Sequence, residues 1–378
     1  MFSIKQYHLK NLNISLIVVV ILLCLISSFA LYLGRPGLFA RQLFGLAIGV
    51  VVLVFLAVLD YHFISRFVIV YYMVVTALLV LTRFSPLGTD LATGCRRWIN
   101  LRVVQIQPSE LAKITLILIL AVLFTWLEEK MDHVSTLVLA GMITAIPTLL
   151  IAIQTDLSSS VVMVFILVVM TFTAGLSYKI ILTIVGITIP TILGFFWYIQ
   201  QPGQKLLKAY QLERIIGFLN PEKYEQSTMY QQLNSVQAIG AGKLYGKLLS
   251  EGTSSVRGYN SVGVRESDFI WSIVGEEFGF LGCCLIILLL FVVIVMCLLV
   301  AKKAKDRLGR LIAIGISAMF MFQVFANIGV ATMILPNTGL PLPFISYGLS
   351  SLVSAMIAVG IVLNIGLQQK NSVRGVIL

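Results

Sequence analysis

Residues 12–33 read LNISLIVVVILLCLISSFALYL, an apolar run without a charged residue. A helix needs roughly 20 such residues to cross a hydrocarbon core about 30 Å thick, so this run is long enough to span a bilayer. It is too long for a signal-peptide core and lacks a small-residue cleavage site, and it reads as a retained first helix. The pattern recurs along the chain. Of 378 residues, 59% are hydrophobic and 11% charged, and the mean hydropathy is +0.99. A soluble enzyme, a secreted protein and a disordered scaffold are excluded by that balance. The runs are continuous rather than alternating in polarity, which predicts helices and not an outer-membrane barrel.

A window of about 19 residues predicts ten spans, at 12–33, 42–59, 67–82, 109–127, 134–153, 159–176, 180–199, 269–300, 311–335 and 346–367. The expectation is an all-α integral membrane protein, one polytopic domain over 1–378. Lys5 and Lys10 precede the first span, while Lys302, Lys303, Lys305, Arg307 and Arg310 fill the link between the eighth and ninth. The positive-inside tendency puts these, Lys370, Arg374 and both termini in the cytoplasm. A loop at 83–108 and a large segment at about 200–268, between helices 7 and 8, then face outside. The net charge of +11 reads as contact with anionic membrane lipids, not nucleic acid. Cys24, Cys283, Cys284 and Cys297 sit in apolar runs and only Cys95 in a loop, so no disulfide framework is predicted.

Charge is sorted unevenly. Arg83, Arg96, Arg97 and Arg102 crowd one exterior loop, where the topology tendency disfavours them. They read either as contacts to outer-leaflet phosphates or as a cluster for an anionic substrate headgroup, since guanidinium forks match phosphate oxygens. The segment 200–268 has the mixed composition of short interfacial helices, with a predicted helix at 229–239 and a glycine-rich turn at Gly240, Gly242 and Gly246. That spacing is no dinucleotide fingerprint.

Ionisable residues at the ends of spans are functional candidates. Glu110 and Lys113 stand i,i+3 at the start of the fourth span and can pair. Asp156, the sole carboxylate between the fifth and sixth spans, reads as a helix cap or as a site residue. The sharpest constellation is Val264-Arg265-Glu266-Ser267-Asp268-Phe269-Ile270-Trp271, followed by Glu276 and Glu277 about 12 Å further along the helix. Asp268 falls where a polar loop meets apolar residues. Desolvation raises its proton affinity and nearby Arg265 lowers it, the setting of a general base, with a helix cap as the alternative. Pro336, Pro341 and Pro343 forbid a regular helix and predict an irregular loop roofing a polar cavity. His8, His62 and His133 all map to the cytoplasmic side, so the exterior carries no imidazole base and no His-based zinc set.

These blocks resemble the SEDS family (shape, elongation, division and sporulation) of RodA, FtsW and SpoVE. The resemblance covers nearly the whole chain. It is carried by Arg97-Trp98-Ile99, Gln107-Pro108-Ser109-Glu110, Gln154 to Leu157, Tyr230-Gln231 with Asn234-Ser235, and Ala238-Ile239-Gly240. It continues through Ser267-Asp268-Phe269-Ile270, Gly275-Glu276-Glu277, Asn327-Ile328-Gly329 and Pro341-Leu342-Pro343-Phe344-Ile345-Ser346-Tyr347-Gly348. The resemblance implies a peptidoglycan glycosyltransferase of the bacterial cytoplasmic membrane that polymerises undecaprenyl-linked lipid II with a class B penicillin-binding protein as partner. It implies Asp268 as the essential carboxylate and Glu110 with Lys113 as a polar pair in the core. On that reading Arg96, Arg97, Arg214 or Arg265 stabilises the pyrophosphate leaving group, and Gln231, Asn234 and Ser346 complete the substrate-binding set. Asp156, Glu276 and Glu277 are supporting polar residues. A divalent cation (Mg or Mn) could share the charge-stabilising role, although the sequence shows no metal cage.

The chain departs from the family pattern at several places. Thr155 stands for Pro, Ser158-Ser159 for Gly-Thr, Leu248 for Gly, Gly263-Val264-Arg265-Glu266-Ser267 for Pro-Glu-x-His-Thr, and Leu349 for Gly. These losses suggest a divergent paralogue, specialised for sporulation or with reduced activity, while the retained Asp268 favours an active enzyme in elongation, division or sporulation. They support a catalytically weak scaffold for a transpeptidase as an alternative to the polymerase; a lipid II flippase, the other alternative, would need a path joining both faces, whereas the ionisable groups cluster outside.

Overall fold

The computed structural model describes residues 7, 9–86, 88–89, 96–100, 105–177, 209–227, 229–250, 252 and 255–369, with scattered positions between 180 and 201. Helix α1 spans Ile14–Gly34 and α2 spans Pro36–Val58; a short α3, Tyr61–Arg66, leads to α4, Val68–Phe84. Then come α5 (Pro108–Trp126), α6 (Val134–Ile153) and α7 (Leu157–Thr173). The long polar segment carries α8 (Ala209–Leu219), α9 (Tyr230–Ala241) and α10 (Lys247–Ser250). The bundle closes with α11 (Ile270–Lys303), α12 (Arg307–Ala331) and α13 (Leu349–Leu367).

Among the described residues seven helices are long and apolar enough to cross a membrane, and α4 and α7 are shorter apolar helices. Together they match nine of the ten predicted spans. The seventh, 180–199, lies largely outside the described residues.

The helices are apolar on all sides, and burial separates their faces. On α1, Leu16, Val20, Leu23 and Leu31 are buried, while Val18, Leu22, Leu25 and Phe29 form an exposed stripe. Such a stripe is stable where the surroundings are hydrocarbon. In the apolar stretches of α5 and α13, 72% of residues are buried, against 28% in α2 and α6; α5 and α13 therefore form the middle of the bundle and α2 and α6 its rim. Helix starts follow local chemistry: Asn13, Asp156 and Asp306 each accept a backbone N–H of the helix they precede, and α2 and α5 open on a proline, whose missing N–H costs nothing there.

Two features depart from the sequence reading. The predicted loop at 83–108 holds a three-stranded antiparallel sheet, β1 (Gly88–Thr89), β2 (Trp98–Asn100) and β3 (Gln105–Ile106), in the order β1-β2-β3. Gly88 faces Ile99, and Ile99 faces Ile106. The fold is thus helical with a small sheet at one end. The predicted continuous eighth span is broken at Gly279 (φ 65, ψ −167). Beyond the break, the N–H groups of Phe280 and Leu281 donate to Lys243 O (2.9 Å) and Leu244 O (3.2 Å) in the turn between α9 and α10. The turn fits because glycines meet backbone to backbone: side chains built on Gly242 and Gly246 would overlap the main chain at Gly275 and Glu277.

Candidate active site

The segment 264–269 ends the polar region and delivers Asp268 to the start of α11. Phe269, not Asp268, is the cap residue of that helix, and its side chain makes no cap bond. Three elements hold the segment. Asn327, one turn before the end of α12, donates through Nδ2 to Asp268 O at 2.9 Å and to Leu340 O at 2.6 Å. From the proline-rich loop, Ser346 donates to Ser267 O (2.6 Å) while accepting from Leu342 N (2.8 Å), and Tyr347 N donates to Glu266 O (2.8 Å). Arg35, at the α1–α2 corner, pairs with Glu266 at 3.2 Å.

The proline-rich loop gathers the candidate residues. The half-buried Asp268 carboxylate rests on it, Oδ2 lying 3.1 Å from where a Cβ on Gly339 would stand. Ser158 donates to Thr338 O. Pro341 and Pro343 close a void of about 10 Å³ over Glu110, shared with Gln323, Ser351 and Ser354, room for about one water. Below it, Lys113 donates to Glu110 Oε1 at 2.7 Å and Ser354 Oγ to Oε2 at 3.2 Å, with both members of the ion pair buried. Asp156 caps α7 through Ser159 N (3.1 Å) and also accepts from Ser109 at 3.4 Å. The loop is fixed to the first two helices by Ser27, which donates to Ile345 O and accepts from Gln42.

Arg265 stacks over Tyr259, 5.9 Å from the ring centre, and donates to Asn260 O at 3.0 Å. Arg97 donates to Gln154 O (3.3 Å) and Thr155 O (2.6 Å), which occupies it in holding the α6–α7 turn. Arg96 is exposed; Arg102 and the side chain of Arg214 lie outside the described residues. Gln231 Nε2 lies against Gly263, 3.2 Å from its would-be Cβ, and Asn234 donates to its own helix at Tyr230 O.

Glu276 and Glu277 anchor the returning polar segment. Glu276 pairs with Lys247 (2.7 Å) and accepts from the N–H groups of Gly258 and Tyr259. Glu277 pairs with Arg257 (2.7 Å) and accepts from the Tyr259 hydroxyl (2.8 Å). Hydrogen bonding to Glu277 raises the Arg257 pKa, and burial, reinforced by the same carboxylate, raises that of Tyr259. Lys247, Arg257 and Tyr259 were not among the sequence candidates, nor were Gln232 and Ser235, which tie α9 to the main chain at Val330, Ala331 and Leu335. Beside the Gly279 break, an apolar cavity of about 620 Å³ lies between α1 and α11, lined by Leu25, Ile26, Phe29, Leu281 and Leu285 with Glu277 at its edge. No group of three or more His, Cys, Asp or Glu side chains converges as a metal cage among the described residues.

A multi-pass bundle with a loop-mounted carboxylate at one end defines a class of membrane protein, and comparison supplies its family. Residues 6–371 match the cell cycle protein model of FtsW, RodA and SpoVE, so the chain belongs to that family. It is 35% identical to the probable peptidoglycan glycosyltransferase FtsW of Geobacter metallireducens, over 78% of this chain and 76% of that one. It is 30% identical to the peptidoglycan glycosyltransferase MrdB of Escherichia coli K12, over 88% and 87%. A chain of a peptidoglycan synthase complex, solved for the structural coordination of polymerization and crosslinking, superposes with a TM-score of 0.77 at 27% identity, over 94% of this chain and 97% of that one.

Proposed function

We propose that this protein is a peptidoglycan glycosyltransferase that joins lipid II units at the outer face of the cytoplasmic membrane, with Asp268 as general base and both termini in the cytoplasm. The observation that carries the reading is the mounting of Asp268: a half-buried carboxylate on a segment held by α12, the proline-rich loop and Arg35. A base must be held within hydrogen-bond reach of the proton it takes, and a segment clamped on three sides supports that reading.

Asp268 takes the proton of the acceptor sugar's 4-hydroxyl as its oxygen attacks the anomeric carbon of the donor. The bond from that carbon to the diphosphate oxygen breaks with inversion, and the electron pair leaves on undecaprenyl diphosphate. Arg96, Arg214 or Arg265 is the cation for the developing charge. The apolar cavity between α1 and α11 suits a donor that carries a hydrocarbon tail. The partner is a class B penicillin-binding protein, in keeping with the synthase complex to which the fold is similar. The test is glycan-strand formation from purified lipid II by the wild-type chain and Asp268→Ala, each alone and with a cognate transpeptidase. Polymer that requires Asp268 supports the transferase. A folded wild type that makes none with its true partner moves the account to a scaffold.

A further inference from the structure

Asn327 is 1% exposed, and its carboxamide points both hydrogens at main-chain oxygens. One acceptor is Asp268 O, in the residue that carries the carboxylate; the other is Leu340 O, next to the Gly339 on which that carboxylate rests. A single amide thus sets the spacing between the base and the loop beneath it. The orientation of the amide is forced, because a carbonyl oxygen accepts only from a donor and the reversed amide would set oxygen against two oxygens. Its Oδ1 is buried and accepts no hydrogen bond among the described residues, so the donor half is what fastens the side chain.

We propose that Asn327 is a positioning residue for Asp268, fixing the height of the carboxylate over the proline-rich loop so that it meets the acceptor hydroxyl at hydrogen-bond distance. The proposal rests on the reading of Asp268 as the base. It separates Asn327 from a packing residue because Asn327→Asp changes the chemistry at nearly constant size. Asn327→Asp replaces the amide donors by an acceptor facing two carbonyls, and Asn327→Ala removes both bonds. A base displaced by about 1 Å loses roughly 10²-fold in rate.

The test uses the full chain with its partner transpeptidase in proteoliposomes and follows lipid II polymerisation against pH. In Asn327→Ala and Asn327→Asp the turnover number falls about 10²-fold while KM stays within about twofold, and the acid limb of the pH profile moves. A second readout needs no activity: the rate of carbodiimide modification of Asp268, read by mass spectrometry against pH with Asp268→Asn as the site control. The two variants change that rate profile. An unmoved acid limb together with an unmoved modification profile overturns the proposal, whatever happens to the melting temperature. If the wild type makes no polymer while modification still responds to Asn327, the transferase reading fails and the positioning contact stands.

Discussion

Replacing Gly279 by alanine should destabilise the protein more than any other single methyl group added to α11. The backbone there, φ 65 and ψ −167, lies in a region that essentially only glycine occupies, and forcing a side chain into such a region costs about 1–3 kcal/mol. The new Cβ would overlap the Gly246 nitrogen and stand 2.8 Å from Leu244 O and Tyr245 C. These neighbours are main chain and cannot rotate away, so overpacking adds about 1–3 kcal/mol. The two effects give about 2–6 kcal/mol, a large share of a typical stability of about 5–15 kcal/mol. Moving the turn also endangers the bonds from Phe280 and Leu281 to Lys243 and Leu244. Equilibrium unfolding in detergent, followed by tryptophan fluorescence, measures the effect. Gly240→Ala is the control, because a Cβ there meets nothing within 4 Å; it should stay within about 0.5 kcal/mol of wild type. Equal stability of the Gly279 and Gly240 variants would refute the backbone argument.

Three further outcomes follow from the same geometry. Lys113→Met strands the Glu110 carboxylate in a buried site and should cost about 3–5 kcal/mol; Glu110→Gln/Lys113→Met should recover most of it, and a double-mutant cycle on unfolding free energies checks both. Thr155 has φ 64 and its N–H donates to Ala152 O at 2.9 Å, so Thr155→Pro, the residue usual in the family pattern, should cost about 3 kcal/mol or more. Thr155→Gly, read in the same thermal melts, should be neutral or stabilising. In the link between α2 and α4, a hydrogen bond to Asp306 raises the His62 pKa, burial opposes it, and Asp60 adds to the rise. Burial alone would raise the two carboxyls, but hydrogen bonds from Gln368 and His62 to Asp60, and from His62, the Gly309 N–H and Tyr61 to Asp306, bring both below their ordinary range. A raised folded-state pKa means that the His62 contribution is complete below about pH 6.5 and is lost as pH rises through the raised value. The melting temperatures of wild type and His62→Gln should therefore differ at mildly acidic pH and converge at alkaline pH; a gap that stays constant contradicts this.

Hydropathy finds spans because bilayer thickness fixes their length, and nine of the ten runs became described helices. It is blind to the Gly279 break, because a window averages side-chain polarity and carries no dihedral angle. The glycines at 242 and 246 announce a turn, but their partners Gly275 and Gly279 sit on another element, and only packing shows that the four meet. The sheet at 88–106 escapes because strands of two and three residues are too short for alternation to register. At the site, Asp268 stands out as a carboxylate at the border between polar loop and apolar span. Asn327 is visible only as part of a motif, since its role depends on two carbonyls 59 and 13 residues away in sequence. Arg97 reads as a ligand for anions because a loop arginine on the exterior invites it; the carbonyls of Gln154 and Thr155 that it meets come from a turn that the sequence alone does not bring near.

The most direct test of the central claim is the initial rate of lipid II polymerisation in proteoliposomes by Asp268→Asn beside wild type, each with the partner transpeptidase and each matched for folded fraction. Loss of a general base predicts a rate lower by about 10²–10⁴-fold with the melting temperature held. A folded Asp268→Asn chain that polymerises at the wild-type rate would contradict the account.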